Sequence, residues 1–198
     1  EINNDRVYTY DTTYFDTDDF QFYVQHHNGS RNRFKVRFRR YSSNKKLFFE
    51  IKIKNNKDRT IKKRLKVDEI NKDLGDLEGD LVSKIIGLSP SQLTPKLELK
   101  FSRITLTDNN FNERLTIDAN LSAKNGTSNK LFDQLIISEI KQNKYNPKSD
   151  FIRILRNLKI QEMRFSKYCM GLLHVNNNLK HNRFKPRLIQ INKILAQS

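Results

Sequence analysis

The residues best suited to chemistry are cations that alternate with apolar residues in two nearby runs. The first run is Phe34-Lys35-Val36-Arg37-Phe38-Arg39, and the second is Phe49-Glu50-Ile51-Lys52-Ile53-Lys54. Successive side chains of a β-strand point to opposite faces of its sheet. We therefore predict two strands whose apolar side chains share one face and whose charged side chains share the other. A sheet face lined with fixed cations suits a polyanion with closely spaced charges.

Positive charge is concentrated in one part of the chain. The sequence has 198 residues and a formal net charge of +16, and residues 31–66 contain sixteen Lys or Arg residues against two acids, Glu50 and Asp58. Residues 1–24 contain six acids and one cation, Arg6. Concentrated positive charge indicates a phosphate-rich or otherwise acidic partner. The alternative is a solvated basic face, which fits the strict alternation with apolar residues less well.

The cysteine content and the hydropathy of the sequence bear on where in the cell the protein is expected. Cys169 is the single cysteine, so no disulfide can form within the chain. This fits a reducing compartment, and we expect a cytoplasmic protein. No apolar run approaches the roughly 20 residues of a membrane span. The four histidines lack ligand-like spacing, and neither a Gly-rich phosphate loop nor a Ser-His-Asp pattern is present.

The apolar pattern predicts one domain over residues 1–198, built as an antiparallel sheet or barrel with helices around it. Alternating, aromatic and β-branched segments predict strands near residues 8–16, 32–41, 47–54, 58–67, 96–106, 113–121 and 135–142. Helical spacing predicts helices over 20–24, 69–86 and 165–173, with further helices after Pro147 and Pro186. Residues 122–130 are predicted to be a loop. In the sixth strand, Leu115 and Leu121 are expected to share one face.

Charged side chains recur on the polar faces of these predicted strands. They are Lys35, Arg37, Arg39, Glu50, Lys52, Lys54, Lys100, Arg103, Arg114, Asp118, Glu139 and Lys141. If the sheet curls closed, these side chains surround a central channel. A charged interior must be paired or filled with water and anions. The few acids can pair with neighbouring cations or hold a divalent metal through oxygen ligands.

Seven short motifs resemble one known family in its order along the chain. They are Tyr14–Thr17, Arg33–Tyr41, Phe48–Lys52, Phe101–Arg103, Arg114–Leu121, Ser138–Lys141 and Arg164–Tyr168. Together they resemble the VTC-type polyphosphate polymerase domain of the triphosphate tunnel metalloenzyme (CYTH-like) superfamily. The resemblance implies an α+β fold in which an antiparallel β-barrel of eight strands forms a tunnel, with flanking helices that close it.

The resemblance also implies a function and a set of site residues. Such domains transfer the γ-phosphate of ATP to a growing polyphosphate chain with Mn²⁺ or Mg²⁺. Arg37, Arg39, Lys52, Arg103 and Glu139 match the catalytic set, with Glu139 as the metal ligand. Arg114, Arg164, Ser166 and Lys167 match further phosphate-binding positions of the family, and the strand pattern adds Lys35, Lys54 and Lys141 as candidates. The expected partners are ATP, polyphosphate or other triphosphates, and nucleic acid is a weaker expectation.

Three departures from the family pattern bear on these expectations. Nothing before Tyr8 resembles the first strand of the family, so we expect the tunnel to lack that strand and to be incomplete at its N-terminal side. Arg164 stands where Lys is usual, which keeps the charge and changes the geometry. Phe101 stands where Tyr is common, so one hydroxyl contact is lost.

The sequence leaves more than one role open for some of these charged residues. Arg103 shares its strand register with Leu97 and Phe101, so either a bulge shifts the strand or Arg103 packs against apolar neighbours. Glu139 can bind a metal or pair with Lys141. Glu50 and Asp118 are expected to be partners of cations first and metal ligands second.

The function also has alternatives. With water as the acceptor, the same site would be an inorganic or nucleotide triphosphatase. A non-catalytic polyphosphate- or RNA-binding module would have the same cationic face. An enzyme should need Glu139 and a metal for turnover, whereas a binding module should tolerate the loss of both.

Overall fold

The computed structural model describes residues 6–42, 45–57 and 59–196. The strands are β1 Val7–Asp16, β2 Arg33–Tyr41, β3 Leu47–Lys54, β4 Thr60–Val67, β5 Thr94–Thr107, β6 Glu113–Asn125, β7 Ser128–Phe132 and β8 Ile137–Gln142. Every predicted strand is present, within a few residues of its expected bounds. The predicted loop at 122–130 is wrong, because β6 continues to Asn125 and forms a hairpin with β7. Gly126 adopts the left-handed φ of 55° that so tight a turn requires.

The helices are α1 Gln21–Asn28, α2 Asp76–Ile86, α3 Asp150–Asn157, α4 Lys167–Val175 and α5 Lys185–Leu195, with short 3₁₀ turns at Pro90–Gln92 and Asn182–Phe184. Helix α2 is shorter than predicted, because the extended backbone of Gly75 caps its start. Ser149 caps α3, and its hydroxyl accepts a hydrogen bond from the amide of Ile152 at 3.2 Å. None of the helices in the described ranges is long and apolar enough to cross a membrane.

The eight strands form one antiparallel sheet in the order β4-β3-β2-β1-β5-β6. Two strands, β7 and β8, lie beside β6 at this end of the sheet. The first half of β6 pairs with β8, and the second half pairs with β7. The predicted α+β architecture, an antiparallel sheet with flanking helices, is confirmed. Within the described ranges no ladder joins β4 to β7 or β8, so hydrogen bonds do not close this sheet into a barrel. The expectation that the tunnel is incomplete without the family's first strand stays a prediction.

The outer face of β2 and β3 carries one hydrophobic core. Val36 and Phe38 of β2 and Phe49 and Ile51 of β3 are at most 1% exposed. Val82 of α2 belongs to the same cluster, so α2 covers this face. Burial of each such side chain contributes about 1.5–3 kcal/mol. With these side chains fixed outward, the alternate charged residues of β2 and β3 must point to the inner face.

A second core occupies part of the inner face. Helix α4 packs against β5 and β6 there, and it contributes buried residues to the same cluster as Leu121 and Ala123. The approach is close, because a Cβ at Gly171 would lie 2.9 Å from a methyl carbon of Leu99 and 3.2 Å from one of Leu97. A larger residue would therefore push α4 away from the sheet. The inner face over β2 and β3 is left to charged side chains.

A bulge in β6 changes which residues of that strand face inward. Lys100 pairs with Ser122 and Ser102 pairs with Ala119, so β6 has one residue more than β5 between these pairs. Asn120 takes the left-handed φ of 53°, a conformation that Asn tolerates better than most residues. The expectation that Leu115 and Leu121 share a face is therefore wrong. Beyond the bulge, Leu121 joins the inner core.

A buried carboxylate ties β1 to α1 and α4. Asp16 is fully buried, and its oxygens accept hydrogen bonds from the amides of Phe22 and Tyr23 at 2.8 and 2.9 Å. The Tyr168 hydroxyl donates to the same carboxylate at 2.5 Å. Asp16 thus caps α1 from a position outside that helix. Because Tyr168 belongs to α4, the contact also fixes the start of α4 relative to the sheet.

Candidate functional site

Three cations of β2 form a row on the inner face, and we call Lys35, Arg37 and Arg39 the inner cation row. Strand register places Lys35 opposite Lys52 and Arg37 opposite Glu50 on β3. On the other side, Tyr14 of β1 lies opposite Arg37. Side chains of one strand face repeat about every 6.8 Å, so the row presents fixed charges at regular intervals.

Arg37 is held by an ion pair with Glu50. Its Nε and Nη2 donate to Glu50 Oε2 at 2.9 and 2.7 Å, and Lys62 of β4 reaches the other oxygen at 2.5 Å. Burial alone would raise the pKa of Glu50, but Arg37, Lys62 and Arg39 lower it to about 2. Glu50 is therefore a permanent anion that orients Arg37, as predicted for this acid.

Arg39, Lys35 and Lys52 have no carboxylate partner within the described ranges. Arg39 donates to the hydroxyl of Thr12 at 3.1 Å, and burial, followed by repulsion from Arg37, lowers its pKa. Lys35 donates to Ser166 Oγ at 3.0 Å. Desolvation also lowers the pKa values of both lysines. Buried or partly desolvated cations of this kind gain most from an external anion.

Aromatic rings of β1 and β5 support the guanidinium groups. Arg39 lies over the ring of Tyr10 at 5.7 Å. Arg103 lies over Tyr10 at 5.0 Å and over Phe101 at 5.3 Å. Of the two readings offered for Arg103, the second is confirmed, because it packs against apolar neighbours on its own strand face. Phe101 thus supplies a ring where Tyr would supply a ring and a hydroxyl.

Asp118 joins β5, β6 and α4 at the inner face. It accepts two hydrogen bonds from Arg103, at 2.5 and 2.8 Å, and Lys167 of α4 lies 2.5 Å from its second oxygen. Burial alone would raise the pKa of Asp118, but Arg103 and Lys167 lower it overall. Both oxygens are occupied, so Asp118 orients two cations and is poorly placed to bind a metal.

Glu139 of β8 is far more exposed than the other two predicted acids of the inner face, Glu50 and Asp118. Its carboxylate lies 3.1 Å from Lys141, and the side chain is 48% exposed. Burial would raise its pKa, but Lys141, Lys167 and Arg103 together lower it. Glu139 and Lys141 also influence the pKa of Lys52 on β3. Charges of β8 and β3 therefore act on one another, although the two strands are not paired in the sheet.

The donor set around Glu139 fits a metal that is shared with phosphates. No group of three His, Cys, Asp or Glu residues lies close enough to hold an ion by itself within the described ranges. Mg²⁺ commonly takes one or two carboxylates, several waters and substrate phosphates, and a single exposed carboxylate is compatible with that mode. An all-protein metal cage is not.

The start of α4 contributes three of the predicted site residues. Ser166 caps the helix, and its hydroxyl accepts a hydrogen bond from the amide of Cys169 at 3.3 Å. Lys167 is bound to Asp118, and Arg164 is exposed in the segment before the helix. The positive end of the helix dipole at this place favours anions. Ser166 and Arg164 line a cavity with Lys35, Lys52 and Lys54.

Arg114 lies apart from the inner cation row. It is exposed near the beginning of β6, opposite Lys141 of β8. These two cations line a separate hollow of about 760 Å³ with Thr107 and Asn112. The structure therefore brings together most of the predicted site residues, whereas Arg114 lies in this separate hollow.

Sequence reasoning missed Tyr14. Its hydroxyl accepts a hydrogen bond from Arg37 Nη1 at 3.1 Å, and the residue is 3% exposed. Burial would raise the pKa of this phenol, but Arg37, Arg39 and Lys35 lower it to about 8. The alternation of Tyr10, Thr12 and Tyr14 along β1 was the signal that could have placed Tyr14 on the inner face.

The affinity for anions is expected to fall as the pH rises through about 8, the pKa of Tyr14. Above that pH the phenolate occupies the cations that a phosphate would use, so binding requires proton uptake and weakens by up to about tenfold per pH unit. Calorimetric titration with tripolyphosphate over this range measures the effect. Tyr14→Phe should flatten the profile and leave only the loss due to Lys35 and Lys52. An identical profile in wild type and Tyr14→Phe would contradict the assignment.

The fold of the chain, an antiparallel sheet with flanking helices, is similar to that of several solved structures. A candidate adenylate cyclase from Bacillus halodurans superposes with a TM-score of 0.53 at 15% identity, over 83% of this chain and 82% of its own. A protein from Pyrococcus horikoshii OT3 gives 0.47 at 15% identity, with 85% and 82% covered. A candidate adenylyl cyclase from Hippeastrum, described as having a dominant triphosphatase activity, gives 0.49 at 14% identity, with 83% and 81% covered.

The family follows from a match between the VTC domain and residues 1–176. The chain belongs to the VTC domain family, which confirms the resemblance found in its motifs. No curated protein matches the sequence. At identities of 14–15% the structural neighbours inform the fold alone.

Proposed function

We propose that this protein binds the phosphates of ATP and polyphosphate on its cationic inner face and transfers the γ-phosphate of ATP to the end of a polyphosphate chain. The observation that carries this proposal is the set of Arg39, Lys35 and Lys52, which have no carboxylate partner within the described ranges. Membership of the VTC domain family supports the same reaction. A cytoplasmic location is part of the proposal.

The proposed roles divide the cations into two groups. Arg39, Lys35 and Lys52 bind phosphate oxygens directly, because no carboxylate of the described ranges forms an ion pair with them. Arg37 and Arg103 approach the phosphates in orientations that are fixed by Glu50 and Asp118. Lys54, Arg114, Lys141, Arg164, Ser166 and Lys167 are assigned to further phosphates. Prepositioned cations lower the barrier by neutralising charge on the transferred phosphoryl group.

In this proposal Glu139 would hold Mn²⁺ or Mg²⁺ together with oxygens of the substrate. When bound, the ion neutralises negative charge on the phosphoryl oxygens. Lys141 lies 3.1 Å from Glu139 and would be the cation next to phosphates held at this carboxylate. Both side chains are about half exposed, so they are accessible to such a ligand.

The test is an assay of the reaction products. The protein is incubated with ATP and Mn²⁺, and the products are resolved on a gel and assayed for free phosphate. We expect long polyphosphate chains. Free phosphate without chains would establish water as the acceptor and make the protein a triphosphatase. Tight binding of polyphosphate without any turnover would instead indicate a binding module.

A further inference from the structure

A large cavity adjoins the inner face at the end where β2 begins. We call it the outer cavity; it measures about 820 Å³, and eight Lys or Arg residues line it. No Asp or Glu of the described ranges takes part in the lining. Its cations include Arg31 and Arg33 before and within β2, Arg164 before α4, and Arg187 of α5.

The outer cavity is distinct from the inner site but continuous with it. Arg37, Arg39, Arg103 and Glu139 do not line the cavity, whereas Lys35 and Lys52 do. Lys35 and Lys52 lie opposite each other on β2 and β3. Lys52 also responds to Arg37, Lys141 and Glu139 of the inner site. This pair of lysines therefore forms the boundary that both spaces share.

Two groups that line the outer cavity, His26 and Arg187, are held by contacts with neighbouring residues. His26 lines the cavity and contacts the carbonyl of Phe34 at 3.2 Å. Burial, together with Lys35 and Arg33, lowers its pKa to about 3, so it stays neutral. Arg187 lies over the ring of Phe184 at 5.4 Å. Cations gathered without carboxylates repel one another, and an anionic ligand relieves that repulsion.

The C-terminal segment builds one wall of the cavity. The amide of Arg183 donates to His27 Nε2 at 3.3 Å, and its guanidinium donates to the carbonyl of Asn28. These contacts fix the segment against α1. Arg183 and Arg187 both lie beyond residue 176, where the match to the VTC domain ends. This wall is therefore a feature of the present chain that the shared domain does not describe.

The inner cation row and Arg33, which shares its strand face, together form a line of cations that is too long for one triphosphate. Arg33, Lys35, Arg37 and Arg39 follow one face of β2, and at ~3.4 Å per residue they span roughly 20 Å. The arrangement also favours an inorganic chain over RNA, because RNA readers stack bases on exposed aromatic rings. The rings of the lining are Phe165, Phe184, His26 and His27. Phe184 and His27 are 5% and 3% exposed, and Arg187 covers Phe184.

We propose that the outer cavity is a second anion site, which binds the phosphates of a linear polyphosphate chain beyond those in the inner site, and that the C-terminal segment makes binding depend on chain length. This inference rests on the proposed function, since the chain in the outer cavity is the acceptor or product of the inner site. Lys35 and Lys52 hold the phosphates that pass between the two spaces. A triphosphate fills the inner site and leaves Arg31 and Arg187 without a ligand.

The test compares tripolyphosphate with long-chain polyphosphate in calorimetric titrations at several salt concentrations. The variant is the double substitution Arg31→Glu and Arg187→Glu. We expect long-chain affinity to fall by about tenfold or more, and its salt dependence to decrease by about 0.7 in slope per lost contact. Tripolyphosphate affinity should change by less than about twofold, since the inner site is intact.

The control is Lys193→Glu, an exposed cation on the same helix α5 that lies outside the cavity lining. Equal losses in the control would show a general effect of net charge and overturn the proposal. Equal losses for both ligands in the double variant would do the same, as would tighter binding of single-stranded RNA than of polyphosphate. Circular dichroism verifies folding, and Arg187→Gln replaces Arg187→Glu if the double variant unfolds. Failure of polymerase activity with chain-length-dependent binding intact would refute only the proposed function.

Discussion

Arg39→Glu is expected to abolish measurable binding of tripolyphosphate. Arg39 is a buried guanidinium whose hydrogen bond within the described ranges goes to the neutral hydroxyl of Thr12. Loss of its charge-assisted bond to a phosphate should cost about 1.5–3 kcal/mol, which corresponds to roughly 10- to 100-fold in affinity. The reversed charge adds repulsion, so the total loss should exceed that range. Calorimetric titration with tripolyphosphate is the measurement.

The matched control is Arg40→Glu, the same change one residue along the same strand. Arg40 is exposed and alternates to the outer face of β2, so its replacement should leave affinity within a few-fold of the wild type. Arg39→Gln provides a milder variant if Arg39→Glu fails to fold. Arg37→Glu is a poorer test, because the new carboxylate would face Glu50 directly. Unchanged affinity in folded Arg39→Glu would remove the inner face as the phosphate site.

Glu139→Gln is expected to remove the stimulation of turnover by Mn²⁺ or Mg²⁺ while leaving anion affinity without metal equal or higher. The amide is a weak metal ligand, and its neutrality leaves Lys141, Lys167 and Arg103 with one negative charge fewer nearby. Turnover with saturating metal should fall by about 100-fold or more, which is the scale for loss of electrostatic stabilisation at a transition state. Turnover and tripolyphosphate affinity are both measured with and without Mn²⁺.

Glu98→Gln is the control for this substitution. Glu98 is exposed on β5, where it alternates with the inward Leu97 and Leu99 and so points outward. Its replacement should change neither metal dependence nor affinity. If Glu139→Gln keeps turnover with its metal dependence intact, Glu139 is a salt-bridge partner of Lys141 and the metal lies elsewhere.

The sequence alone determined which side chains share a face of β2 and β3. The alternation of Lys35, Val36, Arg37 and Phe38 places the apolar set on one face because the side-chain period of a strand is two. The sequence also predicted that Glu50 pairs with cations, and the structure shows it paired with Arg37 and Lys62. The family resemblance in the motifs was confirmed by the VTC domain match. These conclusions depend on residues that are close in the sequence.

Tertiary structure decided which cations remain free for a ligand. Glu50 neutralises Arg37 and leaves Arg39 without a carboxylate, and this follows from the register between β2 and β3. The bulge at Asn120 breaks the simple alternation of β6, so Asp118 and Leu121 face the same side. A single left-handed residue reverses the faces of everything after it, and the alternation itself gives no sign of where this occurs.

The role of Tyr14 and the outer cavity depended even more on distant parts of the chain. Tyr14 has a lowered pKa because three cations of a neighbouring strand surround it. The outer cavity gathers Arg33, Arg164 and Arg187 from segments that are far apart in the sequence. Charges act through space, and their effect is strongest in the partly desolvated interior. The sequence therefore specified the types of charge, whereas the packing of α1, α4 and α5 against the sheet decided which charges meet.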